Sequence, residues 1–398
     1  MALAPASFHA HAMTTSLSAH VMKVTTRPPV QMVAGRGSWL VDDEGRRYLD
    51  FVQGWAVNCL GHGHPAIVEA LLTQSERLIN CSPSYYSEPM ARLATLVAES
   101  CGLQDVFFCN SGAEANEGAI KLARKWGERH RGGAYEIVTT HGAFHGRTLA
   151  TMSASGKPAF EPLFEPKVSG FVKVPFNDLD AMAAGITART AAVMLEPIQG
   201  EAGVIPATDT YLREVRALTR ERGVLLVLDE IQTGIGRTGR LYAFEHTQSR
   251  PDILTLGKGL GGGVPLAALV ASREASCFEP GDQGGTFNGS ALMTAVGCAV
   301  METVGRPEFL AGVRETGDYL ARRLGDLATS LGHGAVRGRG LLLAVALTRG
   351  DAATVVDRAF ERGLIINAPR NDTLRFMPAL TVTPDEIDTM VKLLEPCL

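Results

Sequence analysis

Short apolar runs alternate with helix-favouring stretches through the middle of the chain. Residues 114–128 and 211–222 carry the alanine, leucine and charged side chains that favour a helix. The runs between such stretches are four to seven residues long and largely apolar, which is typical of strands buried on both faces. These strands are predicted at 106–109, 136–140, 191–196, 224–230, 253–256 and 266–272. The alternation predicts an α/β fold with a mostly parallel central sheet and helices on both faces.

The pattern changes near residue 307. A long helix is predicted over 309–330, and shorter elements follow it. They are a strand at 341–347, a helix at 352–362, and strands at 364–367 and 374–377. We therefore expect a smaller α/β unit with its own sheet, which the hairpin pattern of residues 39–51 could join.

These patterns predict two domains and a terminal arm. The large domain spans residues 61–306, and the small domain combines 23–60 with 307–398. Residues 1–22 are rich in Ala, Ser and His and contain no acidic residue, so we expect a poorly ordered arm. This arm lacks both the apolar core of a signal peptide and the arginine-rich face of a transit peptide.

Charge and cysteine content limit the possible partners and compartment. Lys and Arg number 38 and Asp and Glu number 42, so the net charge is −4, without the basic excess of a nucleic-acid-binding protein. No apolar run reaches the ~18 residues of a membrane span. The seven cysteines include no C-x-x-C pair, which favours free thiols in a reducing cytoplasm. We expect a cytoplasmic protein that binds neither nucleic acid nor membrane.

Residues 225–239, L-L-V-L-D-E-I-Q-T-G-I-G-R-T-G, permit three interpretations. A P-loop ATPase would use the Asp-Glu pair to hold magnesium, but the required G-x-x-x-x-G-K-[ST] is absent from the sequence. A dinucleotide-binding fold would use G-I-G-R-T-G, but residues 230–233 lie between Asp229 and its first glycine. The third interpretation makes Asp229 the partner of a cofactor nitrogen, and it needs a lysine elsewhere.

Lys258 supplies that lysine. It follows the predicted strand at 253–256 and lies among glycines, while Asp229 lies near the end of the strand at 224–230. Open α/β sheets bind ligands at the carboxyl ends of their strands. A desolvated lysine loses its proton more easily and can form an imine, and an acid can keep a pyridine nitrogen protonated. Pyridoxal 5′-phosphate (PLP) requires this pair, although a structural Asp and a surface lysine would also fit the pattern.

Residues 110–117, N-S-G-A-E-A-N-E, lie between a predicted strand and a predicted helix. The free amides of Gly112 and Ala113 at such a helix start can bind a phosphate. The same residues also fit an ordinary helix start, with Ser111 as the cap and Glu114 completing a capping box. The two functions are compatible.

Residues 141–148, H-G-A-F-H-G-R-T, follow another predicted strand. Phe144 offers an aromatic face for a pyridine ring, and Arg147 offers a cation for a carboxylate. His141 and His145 have the spacing of metal ligands, but the sequence shows no matching third ligand, so we predict no metal site.

Over roughly residues 24–395 the sequence resembles the class III aminotransferases of PLP fold type I, and among them most closely the acetylornithine aminotransferases. No single motif is decisive, but their order and spacing together are specific. The matching segments are 60–65 (L-G-H-G-H-P), 110–117, 143–147 (A-F-H-G-R), 196–201 (E-P-I-Q-G-E), 228–239, Lys258, 284–286 (G-G-T) and 374–378 (L-R-F-M-P).

The resemblance implies a role for each matching residue. Lys258 and Asp229 would be catalytic, as the lysine that binds PLP and the partner of its pyridine nitrogen. The other implied cofactor-binding residues are Gln232 for the ring hydroxyl, Phe144 for the ring face, Gly112 and Ala113 for the phosphate, and Thr286 for the phosphate of a neighbouring subunit. The implied substrate-binding residues are Arg147 and Arg375 for carboxylates, Glu201 as a mask for Arg375, and Gly285.

Some positions depart from the family pattern. Ala113 replaces a usual Thr, Gly285 replaces a common Ser, and residues 288–292 read N-G-S-A-L where G-G-N-P-L is usual. Trp55 lies where ornithine aminotransferases carry a Tyr that holds the free amino-acid end. Without this phenol, an N-acylated substrate is favoured over free ornithine.

The implied activity is transfer of the terminal amino group of N2-acetyl-L-ornithine to 2-oxoglutarate in arginine biosynthesis. It would follow a PLP ping-pong mechanism in a homodimer with shared active sites. Succinylornithine, ornithine and 4-aminobutyrate transaminases are alternatives within the family. A nucleotide-binding oxidoreductase and a non-catalytic PLP-fold binding protein are alternatives from other classes.

Overall fold

The computed structural model describes residues 20–398. The arm predicted over 1–22 lies outside the described residues, except for 20–22, which are exposed. The strands are β1 (Met32–Arg36), β2 (Trp39–Asp42), β3 (Arg47–Asp50), β4 (Asp105–Cys109), β5 (Glu136–Thr140), β6 (Phe171–Val174), β7 (Thr190–Leu195), β8 (Ile198–Gln199), β9 (Ile205–Pro206), β10 (Leu225–Asp229), β11 (Ile253–Leu256), β12 (Ala267–Ala271), β13 (Val336–Arg339), β14 (Leu342–Ala346), β15 (Leu364–Ile365), β16 (Asn367–Arg370) and β17 (Thr373–Phe376). The helices are α1 (Gln53–Ala56), α2 (Pro65–Ser75), α3 (Glu88–Cys101), α4 (Gly112–His130), α5 (Leu149–Ala154), α6 (Leu179–Gly185), α7 (Asp209–Arg222), α8 (Ala291–Val304), α9 (Pro307–Ser330), α10 (Ala352–Glu361) and α11 (Pro384–Leu394).

The central sheet contains seven strands in the order β4-β12-β11-β10-β7-β5-β6. Strand β12 runs antiparallel to both of its neighbours, and the other paired strands run parallel. Each of the six predicted apolar runs forms a strand of this sheet, which confirms the prediction of a mostly parallel α/β sheet. The apolar-run pattern misses β6, because this edge strand reads F-V-K-V and is only partly buried.

Both faces of the sheet are covered, as β10 shows. Leu225 and Val227 pack in a core cluster that includes side chains of α4, whereas Leu226 and Leu228 pack in a cluster that includes side chains of α7. Burying each such side chain contributes about 1.5–3 kcal/mol. Because the whole strand is buried, Asp229 at its carboxyl end lies in an environment with little water.

The remaining strands form smaller sheets. The hairpin of β2 and β3 belongs to the sheet β1-β2-β3-β15, and the C-terminal sheet has the order β13-β14-β17-β16. The hairpin thus joins the C-terminal part of the chain through β15, where Leu364 pairs with Leu49, and not through the sheet that contains β17. The single strand predicted at 364–367 is divided between the two sheets. A membrane-crossing helix is not found in the described part of the chain.

The segment α1 is a left-handed turn. Gln53, Gly54, Trp55 and Ala56 have φ angles of 50°, 62°, 62° and 65°. Such a conformation costs about 1–2 kcal/mol for each residue other than glycine. The carboxylate of Asp50 supports the turn by accepting the backbone N–H groups of Val52 and Gln53 at 2.9 and 2.8 Å. The turn leaves the Trp55 side chain 50% exposed.

The loop after β10 anchors the C-terminal segment to the central sheet. The Arg237 side chain is fully buried and donates to the carbonyl oxygens of Leu341 and Pro378, at 3.0 and 2.6 Å. The Glu230 carboxylate, also buried, accepts the backbone N–H of Phe244 at 2.8 Å. The Asp-Glu and G-x-G-x-x-G patterns therefore build a packed loop, and the ATPase and dinucleotide interpretations of this segment are not supported.

We predict that Arg237→Met destabilises the protein by about 2–5 kcal/mol, because it keeps much of the apolar stem but leaves two buried carbonyl groups without a donor. Urea unfolding of the purified protein measures the change. Arg240→Met, at an exposed position on the same loop, is the control. Equal stabilities of the two variants would show that the buried contacts of Arg237 do not hold the segments together.

Candidate active site

A cavity of about 260 Å³ lies at the carboxyl edge of the central sheet. Eight of the eleven predicted site residues line it: Gly112, Ala113, Phe144, Arg147, Glu201, Asp229, Gln232 and Lys258. Arg375 reaches the same place through its contact with Glu201. The segment that contains Gly285 and Thr286 is exposed, and neither residue lines the cavity.

Lys258 lies two residues after the end of the buried strand β11, and Gly257 separates the two. Its backbone is left-handed, with a φ of 42°, which is uncommon for a residue with a side chain. Burial lowers the pKa of the Lys258 amine, and the charge of Arg375 lowers it further, while Glu201 opposes both effects. Within residues 20–398 the amine has no hydrogen-bond partner, so it is free to act as a nucleophile or a base.

Asp229 is held by donors on three sides. Its Oδ2 lies 2.8 Å from His145 Nδ1 and accepts a 2.7 Å bond from Asn116 Nδ2, while its Oδ1 accepts the backbone N–H of Ile231 at 3.1 Å. Thr255, the residue opposite Asp229 on β11, donates to Asn116 Oδ1 at 2.8 Å and fixes that amide. Such bonds stabilise a buried carboxylate and fix its direction.

The sequence pattern pointed to some of this network but missed its partners. His145 stands out for its spacing from His141, but its contact is the carboxylate of Asp229. No group of three potential metal ligands occurs in residues 20–398. Asn116 lies inside the 110–117 motif, and its only sequence signal is a polar side chain at a buried position of α4.

Glu196 is a second buried carboxylate in the cavity, and the sequence pattern did not single it out. Its Oε1 accepts the backbone N–H of Phe144 at 2.8 Å, which positions the loop after β5. Burial raises the pKa of Glu196 well above its ordinary value, and the nearby charge of Asp229 raises it further. Glu196 therefore keeps its proton to a higher pH than an exposed carboxyl would.

The start of α4 and the side chain of Gln232 have the features of a binding site. Ser111 Oγ accepts the backbone N–H of Glu114 at 3.3 Å, so the predicted cap is present. A Cβ at Gly112 would lie 2.7 Å from Ile231, so only glycine fits without displacing this neighbour. Both polar atoms of the Gln232 side chain are buried without a protein partner in the described residues, which indicates a ligand that supplies the missing hydrogen bond.

Arg375 on β17 is buried behind Glu201, which lines the cavity. We call this Arg375–Glu201 pair the distal wall of the site. Its Nη1 donates to Glu201 Oε1 at 2.8 Å, and its Nε and Nη2 donate to Asn367 Oδ1 at 2.9 and 2.6 Å. Asn367 is the residue opposite Arg375 on β16, which the sequence motif did not reveal. Burial alone would raise the pKa of Glu201, but Arg375 outweighs this effect and the pKa is lowered. Glu201 is thus a carboxylate paired with a permanent cation.

Phe144 and Arg147 line the cavity, and both lie close to the ring of Phe160. The ring of Phe144 lies 6.0 Å from the ring of Phe160, measured between centroids. The guanidinium carbon of Arg147 lies 5.6 Å from the Phe160 ring, and the described acidic side chains form no ion pair with Arg147. Arg147 is therefore available to an anionic ligand. Trp55 does not line the cavity.

These groups fit the cofactor expected from the sequence. A free amine lies at one strand end and a fixed carboxylate at the next, and beside them are an aromatic ring, an unsatisfied amide and a helix start. PLP has a carbonyl carbon, a pyridine nitrogen, a ring face, a ring hydroxyl and a phosphate, which require complementary groups of these kinds.

Known proteins resemble the chain over nearly its whole length. Residues 21–398 match the profile of the family described as aminotransferase class-III. An acetylornithine aminotransferase of Ralstonia nicotianae is 54% identical over 385 residues, which cover 95% of this chain and 96% of the relative. An acetylornithine aminotransferase of Methanocaldococcus jannaschii is 43% identical over 379 residues, covering 94% of each chain.

Solved structures of aminotransferases superpose on the chain over nearly its whole length. The ornithine aminotransferase of Toxoplasma gondii ME49 superposes with a TM-score of 0.91 at 31% identity, covering 95% of this chain and 92% of that chain. An N-acetylornithine aminotransferase of Stenotrophomonas maltophilia K279a superposes with a TM-score of 0.81 at 36% identity, covering 92% of this chain and 95% of that chain. With its PLP fold type I architecture and the site described above, the chain belongs to the class III aminotransferases and is a pyridoxal-phosphate-dependent enzyme.

Proposed function

We propose that this enzyme transfers the δ-amino group of N2-acetyl-L-ornithine to 2-oxoglutarate, giving N-acetyl-L-glutamate 5-semialdehyde and L-glutamate. The observation that carries the proposal is the Arg375–Glu201 pair at the distal wall. The names of the relatives at 43–54% identity support the same substrate. The reaction belongs to arginine biosynthesis, and the seven free cysteines support a reducing, cytoplasmic location.

The geometry of the cavity supports the cofactor-binding roles that the family resemblance implies. PLP, when bound, supplies an electron sink for the bond that breaks at the amino-bearing carbon. Lys258 would hold it covalently, and Asp229 would keep its pyridine nitrogen protonated. The remaining contacts would come from Gln232 at the ring hydroxyl, Phe144 at the ring face, and the amides of Gly112 and Ala113 at the phosphate.

Lys258 has a second role as the base that moves a proton. When its amine is not bonded to the cofactor, Nζ would take the proton from the amino-bearing carbon of the substrate and hold it as an ammonium until the proton is returned. The lowered pKa of Lys258 suits this role, because a base must be neutral at the working pH. The hydrogen bonds of Asn116 and His145 to Asp229 hold that carboxylate in a fixed position.

The arginines and Glu201 explain how one pocket accepts two different amino donors. Arg147 would bind the α-carboxylate of acetylornithine while Glu201 masks Arg375 and the neutral acyl amide lies beyond. Glutamate carries a second carboxylate, which would displace Glu201 from Arg375 and take its place. The resemblance adds that Trp55, which does not line the cavity, stands where ornithine aminotransferases carry a Tyr, and the absence of that phenol favours the acylated donor.

A homodimer with shared sites is supported by an exposed apolar surface beside Thr286. Phe287 is 63% exposed, and Ile79 and Tyr86, in the segment between α2 and α3, are 57% and 93% exposed. Ser290 Oγ donates to the carbonyl of Ile79 at 2.9 Å, which joins the two segments into one surface. Apolar surface of this kind typically marks a protein contact. A second copy on this surface would bring Gly285 and Thr286 to the partner's substrate and phosphate.

The first prediction concerns the reactivity of Lys258. Because burial lowers the pKa of its amine below the ordinary 10.5, the apoprotein should combine with PLP at Lys258 with a pH midpoint below 10.5. Glu201→Gln should move the midpoint further down, since Glu201 opposes the shift. Borohydride trapping followed by peptide mass spectrometry measures the rate at each pH. A midpoint at or above 10.5, or an adduct on another lysine, would contradict the assignment.

The second prediction tests the substrate and the masking role of Glu201. Wild type should have a higher kcat/KM for acetylornithine than for ornithine or 4-aminobutyrate. Glu201→Ala should slow the acetylornithine half-reaction by about tenfold or more and glutamate less, because Arg375 is then left unmasked near a neutral chain.

Arg375→Gln should do the reverse and chiefly slow glutamate and 2-oxoglutarate. Single-turnover kinetics with each substrate measure both half-reactions. Free ornithine outcompeting its acetyl derivative would reject the substrate, and equal losses for both donors in both variants would reject the masking role.

The third prediction tests the shared site. The Lys258→Ala and Thr286→Asp variants are each expected to be inactive. When equal amounts are mixed so that subunits exchange, about half of the dimers are heterodimers, and each contains one intact composite site. The mixture should therefore regain about a quarter of wild-type activity. A mixture of Lys258→Ala and Asp229→Asn is the control and should stay inactive, since those residues act in one chain's site. A fully active monomer by light scattering would exclude the shared site.

A further inference from the structure

The Glu201 carboxylate faces two cations. Its Oε1 accepts from Arg375, and its Oε2 lies 3.7 Å from the amine of Lys157. The two cations differ in exposure, because the Arg375 side chain is fully buried while that of Lys157 is 31% exposed. Neither the cofactor nor the substrate roles proposed above use Lys157.

Lys157 is held in this position by its surroundings. Gly156 directly before it lies against the end of β5, where a Cβ would come within 2.2 Å of the Thr140 carbonyl oxygen, so a glycine is required. The Lys157 amine lies 6.0 Å from the centre of the Phe144 ring and 5.8 Å from that of Phe160. Cation–π attraction to two rings favours this position of the amine beside Glu201.

Opening of the Arg375–Glu201 pair has unequal consequences for the two partners. Arg375 keeps two bonds to Asn367, so its guanidinium stays in place when Glu201 leaves. Glu201 would lose its hydrogen bond to Arg375 inside a partly buried site, which is costly unless another cation receives the charge. Two lysines act on Glu201 besides Arg375, and Lys157, unlike Lys258, is not assigned to the cofactor and already lies 3.7 Å from Glu201 Oε2.

We propose that Lys157 is a specificity-determining residue that receives Glu201 when a dicarboxylate takes Arg375. This inference rests on the proposed function and adds the partner of the open state. Monocarboxylate donors leave Glu201 on Arg375 and do not need Lys157. Dicarboxylates need both Arg375 and the alternative partner of Glu201.

Equilibrium binding of unreactive acids to the PLP-bound enzyme tests the inference. Glutarate has two carboxylates, and pentanoate has the same chain length with one. Lys157→Gln should raise the Kd of glutarate by about threefold to tenfold and change that of pentanoate less than about twofold, as loss of a partly exposed charge contact implies. Isothermal titration calorimetry measures both, and Lys157→Arg should restore glutarate binding.

Two controls make the result specific. Lys167→Gln removes a lysine of the same loop that is 28% exposed and bonds the Phe160 carbonyl, and it should leave both affinities unchanged. In a Glu201→Gln background, Lys157→Gln should have no further effect, because Arg375 is already free. An undiminished effect there would mean that Lys157 binds the ligand directly, and this would overturn the inference.

Other outcomes separate this inference from the proposed function. Glutarate binding unchanged by Lys157→Gln, with selectivity altered by Glu201→Gln, overturns the role of Lys157 and leaves the masking of Arg375 intact. If Glu201→Gln leaves the ratio of the two affinities unchanged, the masking mechanism is wrong and the role of Lys157 is rejected with it.

Discussion

The buried carboxylate of Asp229 is the constraint on which the rest of the site depends. A charge at the end of a strand buried on both faces is stable only if donors surround it. His145, Asn116 and the backbone of Ile231 supply them, from three different segments of the chain. Because those segments also carry the helix start and the loop with Phe144, fixing the carboxylate fixes most of the cofactor site.

The charges of the cavity act in opposite directions on the pKa of the Lys258 amine. Burial and Arg375 disfavour its charged form, while the carboxylates of Glu201, Asp229 and Glu196 favour it. An amine in this balance can lose a proton during the reaction and regain one afterwards. Burial and the charge of Asp229 raise the pKa of Glu196, a second carboxyl group in the cavity.

The C-terminal segment contributes to the same site from a separate sheet. Strand β17 presents Arg375, while Arg237 binds the carbonyl groups of Leu341, just before β14, and Pro378, just after β17, at one edge of the C-terminal sheet. The distal wall is therefore positioned by buried hydrogen bonds between the central sheet and the C-terminal sheet. In the proposed mechanism, Arg147, which forms no ion pair with the described acidic side chains, is an anion contact for every substrate, and Arg375, which pairs with Glu201, is an anion contact only for dicarboxylates.

Sequence alone determined the central sheet and the main chemical groups of the site. Buried strands are continuous apolar runs, so six of seven could be recognised, and their polar ends marked Asp229 and Lys258. Only the tertiary structure decided which distant groups meet. Asn116 contacts Asp229 across 113 positions, Asn367 orients Arg375 from a neighbouring strand, and Lys157 lies beside Glu201 from another loop. Single polar residues carry no periodic signal, and their partners depend on strand order, register and loop packing, which local patterns do not encode.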